Sequence, residues 1–398
     1  MPEQHGCLQG DMGGNMPRIL FVTKSQLNRG SYWRGWYLGV QLSQMGFDFT
    51  IACPAEFRQL GIRRKQYSPS LRVITLPRLH EKTVLPGIAL RSAVGPLVYD
   101  ISRMDVVHVC APAFPETWMA ASISRRSGKP LVVDVDDWWG MDPDGVRATG
   151  ESKLEEALER NAVSGADRVL AASSLLQEKV NRHARGKASI IPNGIDAREF
   201  ASLSREMSRP VLLKRTGLPA NSVIISSLAD SNYERVLFET GRMLHDKGRN
   251  VYLLLVGLGR SPPEGSNIVA LPKMDRREWL SVILGSDASL LLMRDTIWER
   301  ARFPIKLAEF MATGNPVISS AVGESRRILD EAGYSRLNGG MYVENSPEGI
   351  GRAIDFMLNE AEMVKEVSKS AMDYALNRLS WESIAVDYIR EIRGLLPG

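Results

Sequence analysis

The chain reads as an α/β protein built from two doubly wound halves, and three observations carry that reading. Short apolar runs rich in β-branched residues alternate with stretches of helical spacing along most of its length. A strand–glycine turn–helix–strand order opens at Arg18, and a second alternation opens at Val223 after a charged stretch. The length, 398 residues, exceeds what one ordinary core fills and suits about two domains.

The first half begins with a buried strand over 18–23 and a turn at Asn28-Arg29-Gly30-Ser31. A helix is predicted over 37–45 on the spacing of Leu38, Val40, Leu42 and Met45, stopped by Gly46; a strand over 47–52 completes a βαβ unit. Ligands of such sheets meet the carboxyl ends of strands, which places residues 29–34 at a site. Gly30 either lets backbone N–H groups approach a phosphate or simply makes the turn. Further strands are expected at 71–76, 105–110, 130–135 and 168–172, with helices at 115–127 and 151–164. A strand and a sharp turn, Ser189-Ile-Ile-Pro-Asn-Gly-Ile-Asp196, close this half. Residues 198–219 are charged, show little periodicity and read as a linker.

The second half is predicted to place strands at 223–228, 251–256, 267–271, 288–293, 317–320 and 340–343, with a helix at 234–246. A final helix, 380–396, starts at Ser380 and puts Ile384, Ala385, Tyr388 and Ile389 on one side. Within this half, residues 302–320 form a helix bounded by Pro304 and Gly314 and followed by a buried strand. Lys306 and Glu309 are three apart and share a face. The helix start, with its free N–H groups and the Lys306 charge, suits an anion, and Glu309 offers an acceptor about 4.5 Å further along the axis. That arrangement fits a sugar nucleotide, with diphosphate on the helix start and ribose hydroxyls on Glu309. An ordinary amphipathic helix has the same pattern.

Composition narrows the classes. Fifty basic and 46 acidic side chains leave a net charge of +4, too mild and too evenly balanced for a nucleic-acid binder. One basic concentration runs from Arg58 through Arg63, Arg64, Lys65, Arg72 and Arg78 to Lys82; it reads as a solvated face or as a weak contact with an acidic acceptor or an anionic membrane surface. Cys7, Cys53 and Cys110 lack metal-ligand spacing and do not form a disulfide framework, which fits a reducing cytoplasm. The start of the chain has no signal-peptide pattern, and the longest apolar run, 84–101, is interrupted by Arg91 and Asp100.

Several segments in order resemble the GT-B glycosyltransferases, and more narrowly the retaining, nucleotide-sugar-dependent glycosyltransferase family 4. These are Gly165-Ala-Asp-Arg-Val-Leu-Ala-Ala-Ser-Ser174, the Ile-Pro-Asn-Gly-Ile-Asp turn through Phe200, Arg302 to Ser320, and Lys129-Pro-Leu-Val-Val-Asp-Val-Asp-Asp-Trp138. The resemblance implies two Rossmann-like domains facing a cleft. Residues 17–200 would form the acceptor-binding domain and 201–379 the nucleotide-sugar-binding domain, with 380–398 as a helix packing back toward the first. It further implies transfer of a sugar from a nucleoside-diphosphate donor to a hydroxyl of a glycan, glycolipid or small metabolite, with retention and with neither metal nor cofactor. A cytoplasmic protein, peripheral to the inner face of the membrane at most, suits that chemistry. A non-catalytic scaffold or partner subunit that binds nucleotide or glycan is the alternative.

On this resemblance the donor side comprises Gly30, Arg235, Lys273, Phe303, Pro304, Lys306 and Glu309, with the base meeting backbone near Leu271-Pro272-Lys273. Lys306 stabilises the leaving diphosphate. Asp136 stands where much of the family has a histidine and is the second catalytic candidate, orienting the sugar or acceptor hydroxyl or acting as a base; capping of a loop is its structural alternative. Trp33, His108, Asp137 and Trp138 form the candidate acceptor or sugar side, with Trp36 and Trp139 as further stacking faces. His108 equally reads as a core histidine. Asp134, Asp136 and Asp137 are the one carboxylate group that resembles a metal cage, and no metal is expected there. The family's usual glutamate eight residues before Glu309 is Ala301 here.

Overall fold

The computed structural model describes residues 16–78, 103–111, 116–138 and 150–397. Cys7, Lys82, Pro115, Trp139 and the 84–101 run lie outside them. The chain divides into two compact units. One holds the residues up to Asn193 together with those from Ile384 on; the other is Gly194–Ser383.

The first unit is an eight-stranded sheet. In chain order its elements are β1 (Arg18–Thr23), α1 (Tyr32–Gln44), β2 (Asp48–Pro54), β3 (Arg63–Ser68), β4 (Leu71–Leu76), β5 (Val106–Cys110), α2 (Glu116–Arg126), β6 (Leu131–Val135), α3 (Gly150–Ser164), β7 (Arg168–Ala171), α4 (Ser174–Asn181) and β8 (Ser189–Ile190). The strand order is β3-β4-β2-β1-β5-β6-β7-β8. Only β3 runs antiparallel to its neighbour. The central strands are buried along nearly their whole length, which is why their sequences are continuous apolar runs rather than alternating ones. Gly35 lets α1 lie close on β1: a Cβ there would stand 2.5 Å from the Phe21 ring.

Two expectations in this unit are corrected. Helix α1 starts at Tyr32 rather than 37. Its first turn is aromatic and glycine-containing, with Tyr32 stacked on Trp36, so the aliphatic spacing began late in the segment. Strand β3, RRKQYS, is almost wholly exposed, so no apolar pattern announced it.

The second unit has a parallel five-stranded sheet of order β11-β10-β9-β12-β13. Its strands are β9 (Val223–Leu228), β10 (Val251–Val256), β11 (Ile268–Leu271), β12 (Ala288–Leu291) and β13 (Val317–Ser319). Its helices are α5 (Ala197–Ala201), α6 (Arg205–Thr216), α7 (Glu234–Asp246), α8 (Arg276–Gly285), α9 (Ile297–Ala301), α10 (Ile305–Ala312), α11 (Glu324–Glu331), α12 (Pro347–Asn359) and α13 (Ala361–Arg378). Helix α14 (Trp381–Ile392) leaves this unit at Ser383, and its remainder belongs to the first.

The expected linker 198–219 is instead α5 and α6. Ser204 caps α6 by accepting from the Met207 N–H, and the left-handed Gly217 ends it. Among its side chains only Ser208 and Leu212 are buried, so there was no apolar stripe to read. Arg205 and Arg209, one turn apart, both pair with Asp287. The strand expected at 340–343 is a single bridge between Tyr342 and Ser319. No helix among the described residues is long and apolar enough to cross a membrane.

Candidate active-site residues

In the first unit the chemistry gathers on β6 and the residues that follow it. Asp134 is fully buried and accepts two bonds from Arg34, Nε to Oδ2 at 2.7 Å and Nη2 to Oδ1 at 3.0 Å. His108 Nε2 lies 3.1 Å from Asp134 Oδ2, and its Nδ1 lies 2.9 Å from the Tyr388 hydroxyl. Burial pushes the Asp134 carboxyl up, but Arg34 and His108 more than reverse this and hold it at about 2. Burial lowers His108 against the opposing pull of Asp134. The consistent state is therefore a charged Asp134 and a neutral His108 that donates from Nε2 and accepts the Tyr388 O–H at Nδ1. Arg34 also donates to the Ile191 carbonyl at 2.7 Å, the Pro192 carbonyl at 3.0 Å and Asn193 Oδ1 at 3.1 Å. One guanidinium thus fixes the Ile-Pro-Asn turn to β6. His108, expected on the acceptor or sugar side, has no exposed surface and both ring nitrogens engaged. It is a core histidine.

Asp136, just past the end of β6, is held differently. Its Oδ2 accepts from the Ser31 hydroxyl, while Oδ1 is buried with no hydrogen-bond partner among the described residues. Burial, then repulsion from Asp134, raises its carboxyl to about 6 against the opposing Ser31 bond. Gly30 shapes the turn that delivers Ser31. Its φ is +50°, a Cβ there would sit 2.8 Å from Ser25 Oγ, and that oxygen accepts the Ser31 N–H at 3.1 Å.

Asp137 accepts the Trp138 N–H at 2.9 Å, and the Trp138 ring lies under the Lys179 ammonium at 4.9 Å. Trp33 is 42% exposed and donates from Nε1 to the Asn28 carbonyl, leaving a ring face open for stacking. Asp134, Asp136 and Asp137 do not pool their oxygens: Arg34 and His108 occupy the first and the backbone the third. Among the described residues no cluster of three metal-ligating side chains occurs.

In the second unit α10 begins immediately after Phe303 and Pro304, and Gly314 turns the chain into β13. Phe303 is buried. Glu309 is 1% exposed and accepts from Lys306 Nζ at 2.8 Å, Arg276 Nη1 at 2.7 Å and Trp279 Nε1 at 3.0 Å. Burial raises the Glu309 carboxyl, but Lys306 and Arg276 overcome this and bring it below its ordinary value. Arg276 also pairs with Glu199 at 2.7 Å. The Lys306 ammonium lies 5.2 Å from the centre of the Trp279 ring.

Sequence reasoning missed Arg276 and Trp279, although a signal was present. Asp275 and Glu278 form a capping box, the D-x-x-E pattern of a helix start, which sets Arg276 and Trp279 three apart on one face of α8. Ser31 and Tyr388 carried no comparable signal.

Lys273 follows β11, its stem 3.6 Å from a Cβ built on Gly257 at the end of β10. Arg235 is 88% exposed and pairs with Glu239 one turn along α7. Ala301 is fully buried, and nearby Glu299 accepts from the Tyr233 hydroxyl at 2.8 Å and from Arg294 Nε at 2.9 Å.

Residues 36–199 match the model of Glycosyltransferase Family 4. In fold the chain is similar to a sucrose-phosphate synthase from Thermosynechococcus elongatus, with 16% identity, a TM-score of 0.70 and coverage of 95% of this chain and 99% of that one. The chain has the fold of the GT-B glycosyltransferases, and its first half resembles family 4. A glycosyltransferase from Rickettsia africae is similar to the enzyme at 16% identity and a TM-score of 0.68, with 96% and 99% of the two chains covered. Anabaena HepE in complex with UDP and glucose is similar at 14% identity and a TM-score of 0.65, with 95% and 100% covered. No curated protein matches the enzyme by sequence.

Proposed function

We propose that the enzyme transfers a sugar from a nucleoside-diphosphate donor to a hydroxyl acceptor, with retention and without a metal, and that Asp136 orients the sugar or acceptor hydroxyl. The observation that carries this reading is the Asp136 carboxyl. It stands at a strand's carboxyl end, held through one oxygen by Ser31, and its other oxygen is buried with no hydrogen-bond partner among the described residues. On the donor side Lys306 neutralises charge developing on the leaving diphosphate, and Glu309 meets the ribose once Arg276 and Lys306 turn to the phosphates. The complex of Anabaena HepE with UDP-glucose supports a nucleotide-sugar donor.

The acceptor is a glycan, a glycolipid or a small metabolite, met by the exposed Trp33 and by Trp138. We place the enzyme in the cytoplasm, in weak contact with an anionic membrane surface through β3. Phe57 and Leu60, 73% and 65% exposed, stand beside the run Arg63-Arg64-Lys65. Flotation with anionic vesicles checks this: Arg64→Glu should lower the bound fraction, and unchanged flotation removes β3 from the contact.

The transfer itself is tested by incubating the enzyme with a panel of nucleotide sugars and following nucleoside-diphosphate release with and without acceptors. Tight nucleotide binding without turnover would instead favour a non-catalytic scaffold. Once a donor is found, kcat/KM should fall as pH drops through about 6, because the Asp136 carboxylate that accepts the hydrogen bond orienting the hydroxyl is then neutralised. Asp136→Asn should abolish that limb along with most of the rate. A limb that persists in this variant belongs to another group.

A further inference from the structure

The amino-terminal edge of β6, β7 and β8 carries a second feature, at the opposite end of these strands from Asp136. A cavity of about 540 Å³ opens there, lined by Arg125 from the last turn of α2 and by Lys129, Asp167 and Arg185 from three loops. A neighbouring cavity of about 500 Å³ shares Asn161 and Ser164 with it and adds Arg160, Arg182 and His183. Strand β6 alone sets about 16 Å between this edge and the Asp136 end.

Asp167 is the one carboxylate lining either cavity, and it accepts the Leu131 N–H at 2.8 Å. Arg125 is also committed. Its guanidinium lies against Gly165, where a Cβ would stand 2.2 Å from it, and donates to the Asn161 carbonyl at 2.7 Å, closing the end of α3. The side chains of Lys129, Arg160, Arg182 and Arg185 have no ion-pair or hydrogen-bond partner among the described residues. Elsewhere arginines of this chain commonly find carboxylates, as Arg72 finds Asp48 and Arg205 and Arg209 find Asp287. Four unpaired cations converging on concave surface repel one another and raise the local anion concentration. The two depressions are open and solvated, and each has the volume a small polar ligand needs.

We propose that these joined cavities recognise phosphate, specifically a compact group bearing two phosphates. The point charge of Lys129 and the forked donors of three arginines suit a clustered polyanion better than a single carboxylate. The diphosphate or bisphosphate arrives either on a free metabolite or on a lipid headgroup. The site is independent of Lys306 and of the donor assignment.

The test titrates inorganic pyrophosphate into the full-length enzyme at low salt and compares wild type with Lys129→Gln/Arg185→Gln and with Lys306→Ala. Wild type should show a saturable site that the double variant weakens by roughly tenfold or more and that Lys306→Ala keeps. The double variant should unfold at the wild-type temperature or slightly above it, since repulsion is relieved. Loss only in Lys306→Ala, or equal binding in all three proteins, overturns the proposal. A second arm floats wild type and the double variant with phosphatidylcholine vesicles, with or without phosphatidylinositol bisphosphate. A bisphosphate-dependent flotation that the double variant loses assigns the headgroup as the source. Pyrophosphate binding with equal flotation of the two proteins assigns a free metabolite.

Discussion

Asp134 in the first unit and Glu309 in the second are both carboxylates buried against cations, and the two groups differ in what those cations can do. Asp134 and its partner Arg34 have side chains 0% and 1% exposed, and His108 beside them is 0% exposed. Glu309 is equally buried at 1%, but its partners Lys306 and Arg276 are 36% and 37% exposed. In the first group every member depends on the others to offset desolvation, so the set is closed and serves as framework. In the second, the carboxylate is fixed while its cations face solvent; on the proposed reading an arriving diphosphate draws them outward while Trp279 Nε1 and the ribose hydroxyls keep Glu309 hydrogen-bonded. A buried carboxylate under an exposed cation does not by itself mark a binding site, since Arg327 is equally exposed over the buried Glu324.

The largest effect should come from breaking the closed group. Asp134→Ala leaves the Arg34 guanidinium buried without its anion and is expected to destabilise the first unit by about 3–5 kcal/mol. Urea unfolding measures it, and an unchanged midpoint would mean the group is not framework. The pH dependence has a defined sign. The folded pKa of Asp134, about 2, lies below the ordinary aspartate value. Its contribution is present above about pH 4 and is lost as pH falls toward 2.

The open group should respond in function more than in stability. Lys306→Ala is expected to cost about 10²-fold or more in transfer rate, as the loss of one cation facing the leaving diphosphate does, with stability changed by about 1 kcal/mol or less. Glu309→Ala should weaken nucleotide binding by roughly 10- to 100-fold, the worth of hydrogen bonds to a charged group. Rate assays with saturating donor and titration with nucleotide separate the two. Wild-type affinity in Glu309→Ala would remove the ribose assignment, and an unchanged rate in Lys306→Ala would remove that cation from the mechanism.

The contrast between the groups also explains what was legible in the sequence. Central strands such as 18–23, 130–135 and 251–256 could be read because burial on both faces leaves an uninterrupted apolar run. Helix α10 was marked by Pro304 and Gly314, and Lys306 and Glu309 share a face by spacing alone. Helix α6 and strand β3 could not be read, since both expose most of their side chains. Among the candidate side chains, spacing cannot say which nitrogen or oxygen is already taken. His108 and Asp136 look alike as polar residues at strand ends. The first has spent its polar atoms on Asp134 and Tyr388, the latter 280 residues further on, and the second has one oxygen without a partner among the described residues.

Arg235 supplies the smallest expected effect and the sharpest control on the comparison. The family resemblance made it a donor-site candidate, yet its side chain is 88% exposed and held by Glu239 one turn along the same helix. An exposed i,i+4 pair of this kind contributes about 0.3–0.5 kcal/mol. It lacks both features of the open group, a buried carboxylate beneath it and a second cation beside it. Arg235→Gln should therefore leave nucleotide affinity and transfer rate within about twofold of wild type. If titration and rate assays instead show a loss comparable to that of Lys306→Ala, the arginine must exchange Glu239 for the diphosphate when donor binds. Exposure of the cation alone, without a buried carboxylate partner, would then be enough to mark a donor contact in this chain.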